Sequence, residues 1–200
     1  QGSTSTNDTI VAGTDAAFVL EGAKYMHFED LFIYTPNNNG FRLNGASDIT
    51  ISGNTIMGST TSTSSAVNGI VASASATSIY STTAGEQNIT IENNEIVGGY
   101  FAIRFYGSSA ARNGDLVISD NSLTEQYYYG IYVYYADNVE ISDNELSDFR
   151  SNFAYGIYPY QVDGCQITGN HMSDLYYGIY GYYLSSTSTA NAPSEITNNM

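Results

Sequence analysis

A recurring eight-residue phrase constrains the fold of this 200-residue chain more than any other feature. The phrase runs apolar, any residue, Ile, two turn-forming residues, Asn, any residue, apolar. Complete copies begin at positions 49, 89, 116, 139 and 165: ITISGNTI, ITIENNEI, LVISDNSL, VEISDNEL and CQITGNHM. A truncated copy, SEITNNM, ends the sequence, and MHFEDLFI at 26–33 is a degenerate first copy with Leu31 in place of the Asn. The apolar positions alternate with a period of two, which predicts a short strand with one buried face.

A second alternating phrase lies between these copies and begins at a Gly or Ala. Its copies are AFVL (17–20), GFRL (40–43), GIVA (69–72), AIRF (102–105), GIYV (130–133), GIYP (156–159) and GIYG (178–181). The steps between them are 23, 29, 33, 28, 26 and 22 residues, which indicates a repeat unit with insertions. Strands that recur in this way pair with their equivalents one unit away, at about 4.8 Å, and stack their apolar residues into one core. The chain is therefore predicted to be an all-β solenoid of about seven coils.

The Asn of the first phrase recurs once per coil. Asn accepts the left-handed turn conformation, and its side chain can bond to the equivalent side chain one coil away. We therefore predict an internal ladder made of Asn54, Asn94, Asn121, Asn144, Asn170 and Asn199.

The two phrases resemble the tandem repeats of right-handed parallel β-helix proteins, which carry the same I-x-I-x-x-N-x-I pattern. The resemblance covers residues 10–200 and implies an all-β, right-handed parallel β-helix solenoid of about seven coils. This pectate-lyase-like superfamily includes polysaccharide lyases, alginate epimerases, copper-site maturation proteins, phage tailspikes and bacterial surface proteins, so the fold implies no single activity. We expect residues 1–200 to be a single parallel β-helix segment of a longer chain.

Two columns of side chains are predicted to point outward along the second phrase, because the Ile beside them points inward. The first column is Arg42, Val71, Arg104, Tyr132, Tyr158 and Tyr180. The second column is Asn44, Ser73, Tyr106, Tyr134, Tyr160 and Tyr182. Insertions at 73–87, 106–114 and 183–193 are expected to wall this strip, and the tyrosines are expected to be solvated.

Three interpretations of the columns remain open. Stacked aromatic rings stabilise parallel sheets, each pair by about 0.2 to 1 kcal/mol. Sugar rings also stack on tyrosine, and the arginines can pair with carboxylates or sulfates. Exposed Tyr and Arg residues are, in addition, typical anchors of protein interfaces. The predicted ligand is therefore a polysaccharide or glycan, or another protein, and the candidate residues are Arg42, Arg104, Tyr106, Tyr132, Tyr134, Tyr158, Tyr160, Tyr180 and Tyr182.

The alternative is an enzyme that acts on acidic polysaccharide, or a glycan-binding protein of the phage tailspike kind. The segment YGIYPY at 155–160 is similar to the Tyr-Gly-hydrophobic-Asp-Pro-His phrase of alginate epimerases. Tyr158 stands in place of the Asp and Tyr160 in place of the His, so the resemblance implies the scaffold without the acid and the base. A lyase needs a cation for the uronate carboxylate and a base for the C5 proton. Arg104 with Tyr132 or Tyr106 is the candidate pair, but the repetitive uncharged columns favour binding over catalysis.

No cofactor is predicted, and calcium is the one metal that the sequence suggests. Asp120 and Asp143 occupy the turn position before the Asn in consecutive coils, and carboxylate oxygens are ligands that calcium accepts. The same position holds Gly53 and Gly169 in other coils, which favours an ordinary turn. The one cysteine, Cys165, takes an inward place and has no neighbours at zinc spacing.

Charge and composition limit the possible partners and locations. The net charge is −15, from 20 acidic and five basic residues, which excludes nucleic acid and anionic membrane surfaces as partners. No apolar run approaches the roughly 20 residues of a membrane helix, so no membrane insertion is expected. Few Lys and many Ser, Thr, Asn, Gly and Tyr residues are typical of exported β-rich proteins. We expect an extracellular or cell-surface scaffold whose Tyr-rich strip binds glycans or partner proteins.

Overall fold

The computed structural model describes residues 9–11, 13–75, 78, 80–185 and 193–200. These residues contain no helix long and apolar enough to cross a bilayer. The strands are β1 (Thr9–Val11), β2 (Ala16–Glu21), β3 (Lys24–Glu29), β4 (Phe32–Thr35), β5 (Asn39–Asn44), β6 (Ser47–Ser52), β7 (Thr55–Gly58), β8 (Asn68–Ala72), β9 (Gln87–Glu92), β10 (Glu95–Val97), β11 (Phe101–Tyr106), β12 (Asn113–Ser119), β13 (Ser122–Thr124), β14 (Tyr129–Ser142), β15 (Glu145–Ser147), β16 (Tyr155–Thr168), β17 (His171–Met172), β18 (Tyr177–Ile179) and β19 (Glu195–Thr197).

These strands wind into seven coils and form two parallel sheets, one of seven strands and one of twelve. The twelve-stranded sheet has two faces that the long strands β14 and β16 join, and we describe these faces as the second and the third sheet. The first sheet runs β1-β4-β7-β10-β13-β15-β17. The second sheet continues from β2 through β5, β8 and β11 into the first halves of β14 and β16 and then β18. The third sheet continues from β3 through β6, β9 and β12 into the second halves of β14 and β16 and then β19. The predicted parallel solenoid is confirmed.

The core is a stack of inward apolar residues that repeats once per coil. In the second sheet Ile70, Ile103, Ile131 and Ile157 pair in register, and each of them is fully buried. Cys165 continues the corresponding column of the third sheet, opposite Val139 of the preceding coil, and is also fully buried, as predicted. This continuous core fixes which residues of each strand face outward.

The predicted asparagine ladder is present at the turn between the third and first sheets. Each Asn side-chain nitrogen donates to the side-chain oxygen of the next Asn at 2.9 or 3.0 Å, from Asn54 through to Asn199. The same oxygens accept the backbone N–H groups one coil earlier, including that of Leu31 at the degenerate copy. The ladder therefore satisfies buried polar groups at a turn that every coil repeats.

The residue before each ladder Asn adopts the left-handed conformation. Its φ is 55° at both Asp120 and Asp143, and 65° and 71° at Gly53 and Gly169. This backbone requirement explains why only Asp, Asn and Gly stand there. Among the described residues no group of three or more His, Cys, Asp or Glu side chains could hold a metal ion, so calcium between Asp120 and Asp143 stays a prediction.

Candidate binding surface

Outward residues, all aromatic except Arg104, form three files along the second sheet in the last four coils, and we call them together the tyrosine surface. The first file is Phe101, Tyr129, Tyr155 and Tyr177. The second file is Arg104, Tyr132, Tyr158 and Tyr180. The third file is Tyr106, Tyr134, Tyr160 and Tyr182. The register confirms the alignment that was predicted for the second and third files, whereas the first file was not predicted.

Strict alternation along the strand breaks at Gly130, and this break produces the first file. A Cβ atom on Gly130 would lie 2.6 Å from the Leu146 side chain in the core, so this residue faces inward next to the inward Ile131. Tyr129 on one side and Tyr132 on the other then both face outward, with ring centroids 5.4 Å apart. A Tyr three residues before the outward Tyr, with Gly between them, recurs in the last three coils and is the sequence signal for this break in alternation.

Rings in the first file stack face to face. The centroids of Phe101 and Tyr129 are 4.8 Å apart at an interplanar angle of 4°, and those of Tyr155 and Tyr177 are 4.8 Å apart at 27°. Each ring face is therefore covered by the ring one coil away. Offset and stacked aromatic pairs of this kind add about 0.5 to 1.5 kcal/mol beyond burial, so this file stabilises the solenoid.

Rings in the second file meet edge to face instead. Tyr158 lies 5.2 Å from Tyr132 and 5.0 Å from Tyr180, both at 80°. Tyr158 also packs on Tyr155 of the first file and Tyr160 of the third. The expected solvation is found only in part, since the side chains of Tyr132, Tyr158 and Tyr180 are partly exposed. Their contacts with neighbouring rings agree with the stacking interpretation of the columns.

Three tyrosine hydroxyls of the surface have clearly raised pKa values. Burial, reinforced by neighbouring tyrosines, raises the pKa of Tyr134 to about 12, and it raises the pKa values of Tyr129 and Tyr132 further. Across the described residues, the buried side-chain N and O atoms that lack a partner are the Nη2 of Arg104 and the Oε1 of Gln126. The tyrosine hydroxyls are therefore either hydrogen-bonded or in contact with solvent, where they are neutral donors and acceptors.

Arg42 lies outside the tyrosine surface, although the sequence predicted it to be part of the binding site. It lies two coils before the tyrosines, is only 6% exposed, and is committed to acidic neighbours within the chain. Its Nε donates to both carboxylate oxygens of Asp15 at 3.0 Å, and its Nη2 donates to Glu21 at 2.9 Å. Although burial opposes it, these two hydrogen-bonded carboxylates raise the pKa of Arg42. The prediction that Arg42 binds a ligand carboxylate is corrected, because that outward position is covered by the two acidic residues.

Arg104 is also covered, but by aromatic rings. Its side chain is 2% exposed, and its guanidinium carbon lies 4.9 Å from the ring centroid of Tyr106 and 5.3 Å from that of Phe101. Burial lowers the pKa of Arg104 to about 10, so the group remains a cation at neutral pH. The exposed guanidinium expected from its outward position is therefore corrected to a buried one.

A cleft of about 90 Å³ lies beside Arg104. Its lining residues are Tyr80, Tyr100, Phe101, Arg104, Tyr106, Tyr129 and Tyr132. The structure thus brings together Arg104, Tyr106 and Tyr132, which the sequence analysis had grouped. Tyr80 and Tyr100 were missed, because they come from a loop and a turn that strand periodicity does not place.

The predicted walls are partly described. Tyr80, in the 73–87 insertion, lies edge-on to Tyr106 with centroids 6.2 Å apart and is 73% exposed. In the 106–114 insertion, Arg112 pairs with Asp137 at 2.9 Å and lies over the ring of Tyr135. Positions 76, 77, 79 and 186–192 fall outside the described residues, so most of the third predicted wall is not tested.

The parallel sheets, the single stacked core and the asparagine ladder define the protein as a parallel β-solenoid. The sequence model of the family described as "Right handed beta helix region" matches residues 39–200. The chain therefore belongs to the right-handed β-helix family. No curated protein and no solved structure matches the chain.

Proposed function

We propose that this protein is an extracellular or cell-surface β-helix that binds glycans along the tyrosine surface. The observation that carries the proposal is the repetition of the same three outward aromatic positions in consecutive coils, beside a cleft that contains a cation. A linear polymer of similar units is the natural ligand for such a repeated surface, since strands one coil apart are separated by about 4.8 Å, close to the length of one sugar unit.

The packing of the rings also supports a binding role. Because Tyr132, Tyr158 and Tyr180 are held by their neighbours, little side-chain freedom remains to be lost when a ligand binds. The partly exposed rings offer apolar edges and faces to sugar C–H groups, and their neutral hydroxyls offer hydrogen bonds to sugar hydroxyls.

Binding is better supported than catalysis by the pKa values. A lyase base must lose its proton near neutral pH, whereas burial raises the pKa values of Tyr106 and Tyr132. The carboxylates of Glu92 and Glu140 do not supply a base for this surface either, because both residues belong to the third sheet, outside the tyrosine surface. The surface is thus equipped with neutral hydroxyls and one cation.

We expect Tyr158→Ala to weaken glycan binding by roughly fivefold to tenfold, because it removes a central ring of the second file. Binding would first be detected on an array of immobilised glycans and then measured by titration calorimetry. The same change should lower the free energy of unfolding by about 1 to 2 kcal/mol, since Tyr158 packs against rings in neighbouring coils.

Tyr34→Ala is the matched control, because Tyr34 is a 42% exposed tyrosine on the first sheet. It should leave the affinity unchanged. If no glycan on the array binds, while a partner protein is retained by the wild type and lost by Tyr158→Ala, the tyrosine surface is a protein interface and the glycan proposal is wrong.

A further inference from the structure

Arg104 differs from the other arginines in that, among the described residues, one of its guanidinium nitrogens is buried without a hydrogen-bond partner. Arg42 pairs with Asp15 and Glu21. Arg112 pairs with Asp137 and Asp163. Arg150 donates to the backbone carbonyls of Glu125, Ser62 and Gly99. Within the described residues the Nη2 of Arg104 has no hydrogen-bond partner at all.

This arrangement is unfavourable for the folded chain alone. Arg104 is almost completely buried, and its described surroundings are the aromatic residues that line the cleft. Ring faces attract a guanidinium, but they do not accept its hydrogen bonds in the plane of the group, where carboxylates bind best. A buried cationic donor without an acceptor is rare in folded proteins, which indicates that a ligand supplies the missing acceptor.

The cleft has room for the missing partner. A volume of about 90 Å³ beside Arg104 is enough for one acidic group next to the guanidinium. Tyr80 is the most exposed residue of the cleft wall and marks the side from which a ligand can enter. The long-range field of a chain with net charge −15 repels anions, so selectivity for an acidic group has to come from this local site.

We propose that Arg104 anchors a single anionic substituent of the bound glycan, a carboxylate or a sulfate, inside the cleft between Tyr80 and Tyr132. This inference rests on the proposed function and specifies it: the tyrosine surface binds acidic glycans, and Arg104 sets both the preference for acid and the register of the sugar chain on the files. The bidentate geometry of guanidinium suits either oxyanion.

The test compares two acidic tetrasaccharides with the neutral methyl ester of one of them. Calorimetry would use a galacturonic acid tetrasaccharide, its methyl ester, and a sulfated galactose tetrasaccharide. The wild type should bind at least one acidic form about tenfold or more tightly than the neutral ester, and the stronger of the two identifies carboxylate or sulfate as the group that is held. Arg104→Met should abolish this preference, so that the acidic forms bind no more tightly than the ester.

Arg42→Met is the matched control, since Arg42 occupies the same column but is already paired. It should keep the preference for acid and lower the melting temperature, because Asp15 and Glu21 lose their partner. Arg104→Met, which removes an unpaired buried charge, should melt at or above the wild-type temperature. A clear fall in melting temperature together with an unchanged preference would make Arg104 a structural residue and overturn the inference.

The two proposals can fail separately. If the acidic forms and the ester bind equally and Tyr158→Ala weakens all of them, the glycan-binding function stands and the role of Arg104 is wrong. If none of the three tetrasaccharides binds and no glycan on the array is retained, both proposals are wrong.

Discussion

Ile141→Asp should lower the free energy of unfolding by about 4 kcal/mol or more. Ile141 is fully buried and pairs in register with Ile118 and Ile167 of the coils on either side. A carboxylate there has no partner in the core, and coils of a solenoid depend on their neighbours for stability. Urea denaturation followed by circular dichroism would measure the loss.

Two controls separate charge from position. Ile141→Val keeps the site apolar and should cost about 1 kcal/mol. Glu140→Ala changes the exposed neighbour on the same strand and should have little effect. Equal destabilisation by Ile141→Asp and Glu140→Ala would mean that the assignment of inward and outward positions is wrong.

Alkaline pH should unfold the protein cooperatively as the tyrosine surface is forced to ionise. Burial raises the pKa of Tyr134 to about 12 and raises the pKa values of Tyr129, Tyr132 and Tyr158 as well. An unfolded tyrosine loses its proton near pH 10, so between about pH 10 and 12 the unfolded state binds fewer protons than the folded state. Stability should therefore be complete below about pH 10 and fall as the pH rises above it.

The urea concentration at the midpoint of unfolding, measured from about pH 8 to about pH 12, would show this loss of stability. Tyrosinate absorbance would serve as a second signal. Tyr132→Phe removes one of the shifted hydroxyls and should make the midpoint fall less steeply with pH. Tyr34→Phe, outside the tyrosine surface, should leave the slope as it is in the wild type. Complete ionisation of the tyrosines around pH 10, seen in the tyrosinate absorbance with no loss of structure, would contradict the burial of these side chains.

The sequence predicts this fold well because each coil repeats the same local requirements. Alternation identifies Ile131 and Ile157 as core residues, and the turn before each Asn needs a residue that tolerates positive φ. Neither requirement depends on distant parts of the chain. The register of Tyr132 on Tyr158 follows directly, since equivalent positions of consecutive coils must pair.

The environment of the outward residues was less predictable, because it depends on side chains that are far apart in sequence. Arg42 and Arg104 occupy equivalent outward positions, yet one meets Asp15 and the other meets Tyr106. Alternation distinguishes inward from outward residues, but it does not show whether an outward residue is exposed to solvent or covered by other side chains. The first file was missed for a related reason: Gly130 and Ile131 both face inward, so period two does not hold there.

The central claim is that the tyrosine surface binds a linear glycan along the solenoid axis. The dependence of affinity on the length of the glycan tests this claim most directly. Calorimetric titrations would use a series of acidic oligosaccharides, from the disaccharide to the octasaccharide. Affinity should rise with each added unit until the ligand spans the four coils that carry the files, and then level off, because each coil adds one more set of equivalent contacts. Affinity that does not depend on length, or no binding at any length, would contradict the account.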